Sequence, residues 1–209
     1  MKLAILGATG KTGGHALESA LAAGHHVRVL VRTPAKLTTK HERLDVVQGD
    51  ATKLADCERV VDDCDAVIAA LGPQGLGATT LRQDATRAVT AAMTARGVKR
   101  IVWLSAFGVG ENIAQARRTS IIATLFMKTV LKKTYRDAAA AEQVLRASGL
   151  DFVICRPPEL TNKPARGRVD EVPEDRKLPR LSIPRADVAA WMVKAATVST
   201  FDRQAVTIC

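Results

Sequence analysis

Three glycines at three-residue spacing, Gly7, Gly10 and Gly13, sit in the segment Gly7-Ala8-Thr9-Gly10-Lys11-Thr12-Gly13-Gly14. Residues of these types in a turn bind phosphate, and two phosphate chemistries compete. Gly10-Lys11-Thr12 matches the end of a nucleoside-triphosphatase loop. That loop needs a further glycine five positions before Gly10, where the chain has Ile5. The turn is too short to wrap a triphosphate, and the match is read as coincidence.

A dinucleotide-binding turn fits better. An apolar run from Lys2 to Leu6 ends at Gly7, and helical spacing begins near Lys11. Gly7 permits a tight turn, Gly10 lets a diphosphate approach the backbone, and Gly13 lets helix and strand pack closely. The start of the helix, at Lys11 and Thr12, offers free amides to the diphosphate. Thr9 and Thr12 can add hydroxyl donors. The spacing is GxxGxxG rather than GxGxxG, so the position of the turn, between the first strand and the first helix, carries the reading.

The end of the second strand gives a separate indication. A carboxylate there binds the ribose 2′-hydroxyl of NAD. Here the strand ends Val29-Leu30-Val31-Arg32, with Lys36 shortly after. Two cations and no carboxylate favour a 2′-phosphate, with which the Arg32 guanidinium can pair in a fork. The expected cofactor is therefore NADP(H); the competing reading is two solvated surface charges.

These residues need a scaffold of strands to carry them. After the helix over 11–23, strands are expected at Val27–Val31, around Val46-Val47, and at Ala66–Leu71, stopped by Gly72-Pro73. Ala85, Ala88, Val89, Ala92 and Met93 form the apolar stripe of a long helix. Further strands are expected at Ile101–Leu104, Phe152–Cys155 and Ala205–Ile208, with helices over 138–146 and 185–196. Strands alternating with helices imply right-handed crossovers and a doubly wound, Rossmann-type α/β domain with a parallel sheet. At 209 residues, one such domain accounts for the chain. Residues 161–184, rich in Pro, Gly and charge, read as a surface loop on the substrate side.

Composition narrows the classes. Aromatics are only 3%, so Ala, Val, Leu and Ile must build the core. The formal charge of +10 favours anionic partners of any kind. The four cysteines, Cys57, Cys64, Cys155 and Cys209, have no paired or metal-ligand spacing and read as free thiols. No run of about 18 apolar residues is present and no signal peptide precedes the first strand, so a soluble cytoplasmic protein is expected. His15, His25, His26 and His41 have no ligand spacing, and no metal site is expected.

Met1–Gly13, Val29–Arg32, Gly49-Asp50, Ala69–Gly72, Gly97–Gly110 and Ser148–Leu160 together resemble the atypical short-chain dehydrogenase/reductases. Within them they are most similar to the NAD(P)H-binding, NmrA-like group that contains the flavin and biliverdin reductases. The resemblance covers nearly the whole chain in order. It implies that Asp50 and Ala51 flank the adenine and that Leu71 and Gly72 line the cofactor. It places Ser105 where the superfamily keeps a catalytic serine, followed by Ala106 and Phe107 toward the nicotinamide. It makes Pro157, Pro158, Glu159 and Leu160 the loop over the nicotinamide face.

The chain departs from the superfamily in one respect. Its single tyrosine, Tyr135, is followed four residues later by Ala139, so the Tyr-x-x-x-Lys acid pair is missing. Alcohol oxidation is then disfavoured, whereas hydride transfer to an electron-poor conjugated acceptor can draw its proton from solvent. The expectation is an NADPH-dependent reductase of a flavin or linear tetrapyrrole. The rival is a non-catalytic NADP(H)-binding sensor acting through a protein partner. Nucleic acid is not an expected partner, and monomer and homodimer both stay open.

Residues 117–136 form an apolar segment between basic flanks. Three readings compete: a helix on the sheet or lining the substrate pocket, a dimer contact, or a membrane-surface helix. In the first, Lys128, Lys132 and Arg136 could attract an acidic substrate. Asp187, at the entry to the late helix, is read as structural.

Overall fold

Leu3 and Ile5 face one side of the first strand, Ala4 and Leu6 the other, and all four are fully buried. A strand buried on both faces requires helices on both. The computed structural model describes residues 1–72 and 79–209, with all their side chains except those of 123 and 126–128. The expected strand stop at Pro73, and the side chains of Phe126 and Lys128, lie outside the described residues.

The chain runs β1 (Lys2–Leu6), α1 (Lys11–Ala22), β2 (His26–Val31), β3 (Leu44–Gln48), α2 (Leu54–Val61), β4 (Ala66–Ala69) and α3 (Leu81–Arg96). It continues with β5 (Arg100–Leu104), α4 (Ile113–Thr119), α5 (Ile121–Thr129), α6 (Lys132–Ala147) and β6 (Asp151–Arg156). The last third holds β7 (Glu159–Thr161), β8 (Glu171–Val172), β9 (Ser182–Pro184), α7 (Arg185–Thr197) and β10 (Gln204–Ile208).

Eight strands form one sheet in the order β3-β2-β1-β4-β5-β6-β10-β8. All neighbours are parallel except β10 and β8. α1 and α7 cover one face, burying Leu3, Ile5, Leu17, Val29, Ile183 and Met192 together. α2, α3 and α6 cover the other, over Ala4, Leu6, Val60, Met93, Trp103 and Leu145. The sheet is wound outward in both directions from β1 and β4. Carboxyl-end loops diverge at that switch point, and a cleft opens between them.

The elements differ from the sequence expectation in several places: β4 ends at Ala69 rather than Leu71, and α4 begins at Ile113, ahead of the 117–136 segment. α2 was not foreseen; it has only eight residues, and Asp56, Glu58 and Arg59 interrupt its apolar positions. α6 starts at Lys132, well before residue 138, because Lys132-Lys133-Thr134-Tyr135-Arg136 carries no apolar repeat. The 161–184 segment is not a plain loop: it contains β8 and β9 and the end of β7, strands of two or three residues that give no periodic signal. β7 pairs with β9, and β8 pairs antiparallel with β10 through Thr207 opposite Val172. The Asp187 carboxylate accepts from the Arg166 and Gly167 amides at 2.8 and 3.0 Å, tying this segment to α7.

Candidate cofactor and acceptor site

The cleft at the switch point has a volume of about 630 Å³ and runs across the carboxyl ends of the central strands. Its floor is the turn between β1 and α1. Gly7 has φ +89°, and the Gly10 amide donates to the Gly7 carbonyl at 2.9 Å. A Cβ on Gly13 would lie 2.1 Å from the Gly7 oxygen, so no side chain fits there. Gly7, Thr9, Gly10, Lys11 and Thr12 line the cleft; Gly13 does not, because it is packed beneath the turn. The first turn of α1 has no acidic residue and no side-chain cap on its amides. A helix start left in that state suits an anion.

One end of the cleft is formed by Leu30, Val31 and Arg32 after β2, and by Gly49, Asp50 and Ala51 after β3. Arg32 is exposed. Asp50 is committed to its own turn: one carboxylate oxygen accepts from the Thr52 amide at 2.9 Å and the Thr52 hydroxyl at 2.8 Å. The Thr52 amide bond, more than any other influence, holds the Asp50 carboxyl below the usual range, and the nearby Arg32 charge acts in the same direction. The Asp56 carboxylate accepts from the Asp50 amide at 2.8 Å and from Arg59 at 2.6 Å. Asp56 thus fixes this turn, a role its sequence position did not signal. Lys36 sits in a short turn over Pro34–Lys36, fully outside the cleft lining.

Ala70, Leu71 and Gly72 line the middle. At the far end stand Leu104, Ser105 and Ala106 after β5, and Pro157, Pro158 and Leu160 after β6. Glu159 does not line the cleft; its side chain is exposed while its amide donates to Leu181 at 3.1 Å. Phe107 is turned away, buried with Ala116, Val172, Leu178 and Cys209. Leu81, Arg82 and Arg185 also line the cleft without having been foreseen, Arg82 donating to the Leu71 carbonyl at 3.3 Å. Only the topology brings Arg82, at the start of α3, and Arg185, at the start of α7, to the same strand ends.

The hydroxyl of Ser105 donates to Glu142 Oε1 at 2.5 Å. Glu142, on α6, is 3% exposed and pairs with Arg156, 1% exposed, at 2.5 Å. Arg156 also contacts Glu111 at 3.0 Å and Glu174 at 3.4 Å. Burial alone would weaken the Arg156 charge, but Glu142 and Glu111 outweigh it and raise its pKa. Sequence reading missed this network, because its members are scattered from residue 105 to residue 174.

Tyr135 is outside the cleft lining, and its hydroxyl donates to the Phe107 carbonyl at 2.9 Å. Burial pushes its pKa up. The cysteines are free and buried; burial lifts Cys57 to about 12 and Cys64 to about 11, which makes them poor nucleophiles. The described part of the 117–136 segment does not line the cleft either. Ile121, Ile122 and Leu125 are exposed rather than packed on the sheet, and Lys132 and Arg136 face solvent.

Residues 7–198 match the family model described as NAD(P)H-binding. An uncharacterized chloroplastic protein of Arabidopsis thaliana is 33% identical over 205 residues, covering 93% of this chain and 71% of that one. Among solved structures, a short-chain dehydrogenase/reductase from Veillonella parvula in complex with NADP superposes with TM-score 0.82 at 18% identity, covering 99% of this chain and 93% of that chain. The anaerobillin reductase ChuY of Escherichia coli O157:H7 gives TM-score 0.81 at 23% identity, covering 100% and 96%.

Proposed function

The chain belongs to the NAD(P)H-binding family, and on that premise we propose that it is an NADPH-dependent reductase whose acceptor is planar and conjugated, a flavin or a linear tetrapyrrole. One observation carries the acceptor class. The Ser105 and Tyr135 hydroxyls, the candidate acids the sequence offers at this end of the sheet, are both committed inside the protein, to Glu142 and to the Phe107 carbonyl. Reduction of an isolated carbonyl needs a positioned proton donor in the transition state. A conjugated acceptor spreads the incoming charge over its π system and takes its proton from water. The anaerobillin reductase neighbour supports an acceptor of this type.

When bound, NADPH supplies the hydride. The residues of the chain hold and orient. The uncapped amides at the start of α1, with Gly10, Thr9 and Thr12, take the diphosphate. Arg32 takes the 2′-phosphate. Ser105, its proton given to Glu142, offers lone pairs and accepts from a carboxamide or pyrrole N–H. Pro157, Pro158 and Leu160 form an apolar wall against the acceptor ring. Arg185 attracts anionic groups on the acceptor, while Arg82 is held by the Leu71 and Thr134 carbonyls and lies 4.0 Å from Asp137. The four buried free thiols fit a reducing compartment such as the cytoplasm.

The test is steady-state turnover with NADPH against a panel of FMN, riboflavin, biliverdin and simple aliphatic ketones, with NADH as control. Turnover is expected with the conjugated acceptors and absent with the ketones. Tight NADPH binding without turnover on any acceptor would replace the reductase by a cofactor-sensing protein.

A further inference from the structure

Helix α5 turns an apolar face outward. Ile121, Ile122 and Leu125 are 72%, 83% and 63% exposed, while Thr124 of the same helix is buried. Val130, just beyond the helix, is 50% exposed. These four make up half of the eight large exposed hydrophobics among the described residues, so they form a patch and not a scatter.

The charge around the patch has one sign. Between Glu111 and Asp137 the sequence contains no carboxylate. Arg117 and Arg118 precede α5, and Lys132, Lys133 and Arg136 follow it, all exposed. Arg118 donates to the Glu174 backbone carbonyl; none of the five has an ion-pair partner among the described residues. A second copy of the chain seated here would bring like charges together. The patch is also a protruding helix of nine residues rather than a groove, so it suits a soft surface that side chains can enter. No helix among the described residues is long and apolar enough to cross a membrane.

We propose that α5 docks the protein on the surface of an anionic lipid bilayer. Ile121, Ile122, Leu125 and Val130 enter the boundary between headgroups and acyl chains. The basic residues at both ends of the helix lie on the anionic headgroups. Docking needs neither the cofactor nor turnover, so it stands independently of the proposed reaction.

The experiment is co-sedimentation of the full chain with vesicles of phosphatidylcholine alone, or mixed equally with phosphatidylglycerol. Binding is expected to the mixed vesicles only, and is expected to weaken at high salt. Lys132→Glu with Lys133→Glu should weaken it by about tenfold or more. Ile122→Ser with Leu125→Ser should do the same at unchanged charge, by about tenfold. Lys40→Glu with Lys99→Glu, at exposed cations away from α4 and α5, is the charge-matched control and should leave binding within about threefold. All of these sites are exposed, and unchanged thermal melts verify that the variants fold. Absence of binding to the mixed vesicles, equal binding to phosphatidylcholine alone, or equal loss in the control would overturn the proposal. So would a wild-type dimer in solution that Ile122→Ser with Leu125→Ser converts to monomer, since the face would then belong to a second copy.

Discussion

Ser105 and Glu142 are joined by a 2.5 Å hydrogen bond in which the serine is the donor, and Arg156 holds the same carboxylate from its other side. The bond links the end of β5 to α6 through a buried ion pair. It also decides what Ser105 can do in the cleft. A hydroxyl has one proton, and this one points into the protein, so the face toward a ligand is an acceptor.

Ser105→Ala should therefore have a modest kinetic effect. Loss of one neutral hydrogen bond corresponds to roughly tenfold or less in acceptor-dependent kcat/KM. Loss of a general acid would cost about 100- to 10,000-fold and would change the pH profile. Steady-state rates across pH separate the two, and a drop in the larger range would make Ser105 a proton donor.

Glu142→Ala leaves the Arg156 charge buried with only its partly exposed partners Glu111 and Glu174. Breaking one side of a buried pair destabilises by about 3–5 kcal/mol. Urea unfolding should show that loss, and a loss under about 1 kcal/mol would mean that the network is already solvated.

Gly13 and Gly10 should respond differently to alanine. At Gly13 the new Cβ meets the Gly7 oxygen at 2.1 Å, whereas at Gly10 the distance is 3.2 Å. Gly13→Ala is expected to destabilise by about 1–3 kcal/mol or more. Gly10→Ala should keep a near-native melting temperature while weakening NADPH binding, because it lines the cleft. Thermal melts with a fluorescence titration of NADPH read both.

Arg32 sets the cofactor preference in this scheme. Arg32→Ala should raise KM for NADPH about 10- to 100-fold, the value of one or two charge-assisted hydrogen bonds, and leave NADH unchanged. Equal effects on both cofactors would remove Arg32 from the 2′-phosphate.

Asp50 adds a pH dependence to stability. Its folded-state pKa is lowered, first by the Thr52 amide bond. Its contribution is complete above the unfolded value of about 4 and is lost as pH falls through the folded value. Asp50→Asn should flatten the stability profile below about pH 4 and leave the slope between about pH 6 and 8 untouched. Denaturant midpoints measured across that range provide the check.

Much of the scaffold was legible because its signals are local. Lys2–Leu6 followed by Gly7 announces a buried strand and a turn, and the stripe from Ala85 to Met93 announces α3. The cleft was legible where one loop supplies it, as at Gly7–Thr12, and at Ser105-Ala106 only through the family resemblance. It was not legible where separate elements converge. Arg82 and Arg185 reach the cleft, and Glu142 reaches Ser105 beneath it, through the packing of α3, α7 and α6, which no short window encodes. Lys36, Phe107 and Glu159 neighbour lining residues in sequence but leave the cleft, because the turn at 34–36, the buried cluster around Cys209 and the β7 edge direct them elsewhere. The 117–136 segment was ambiguous for a different reason. Apolar spacing marks a helix face but not what covers it.

The most direct test of the reductase reading is a single-turnover experiment with NADPH-loaded protein mixed with FMN or biliverdin, following the near-ultraviolet absorbance of NADPH. Rapid acceptor-dependent loss of that absorbance, much slower with NADH, is the predicted result. Absorbance that stays constant with saturating acceptor, while NADPH remains bound, would contradict hydride transfer by this cleft.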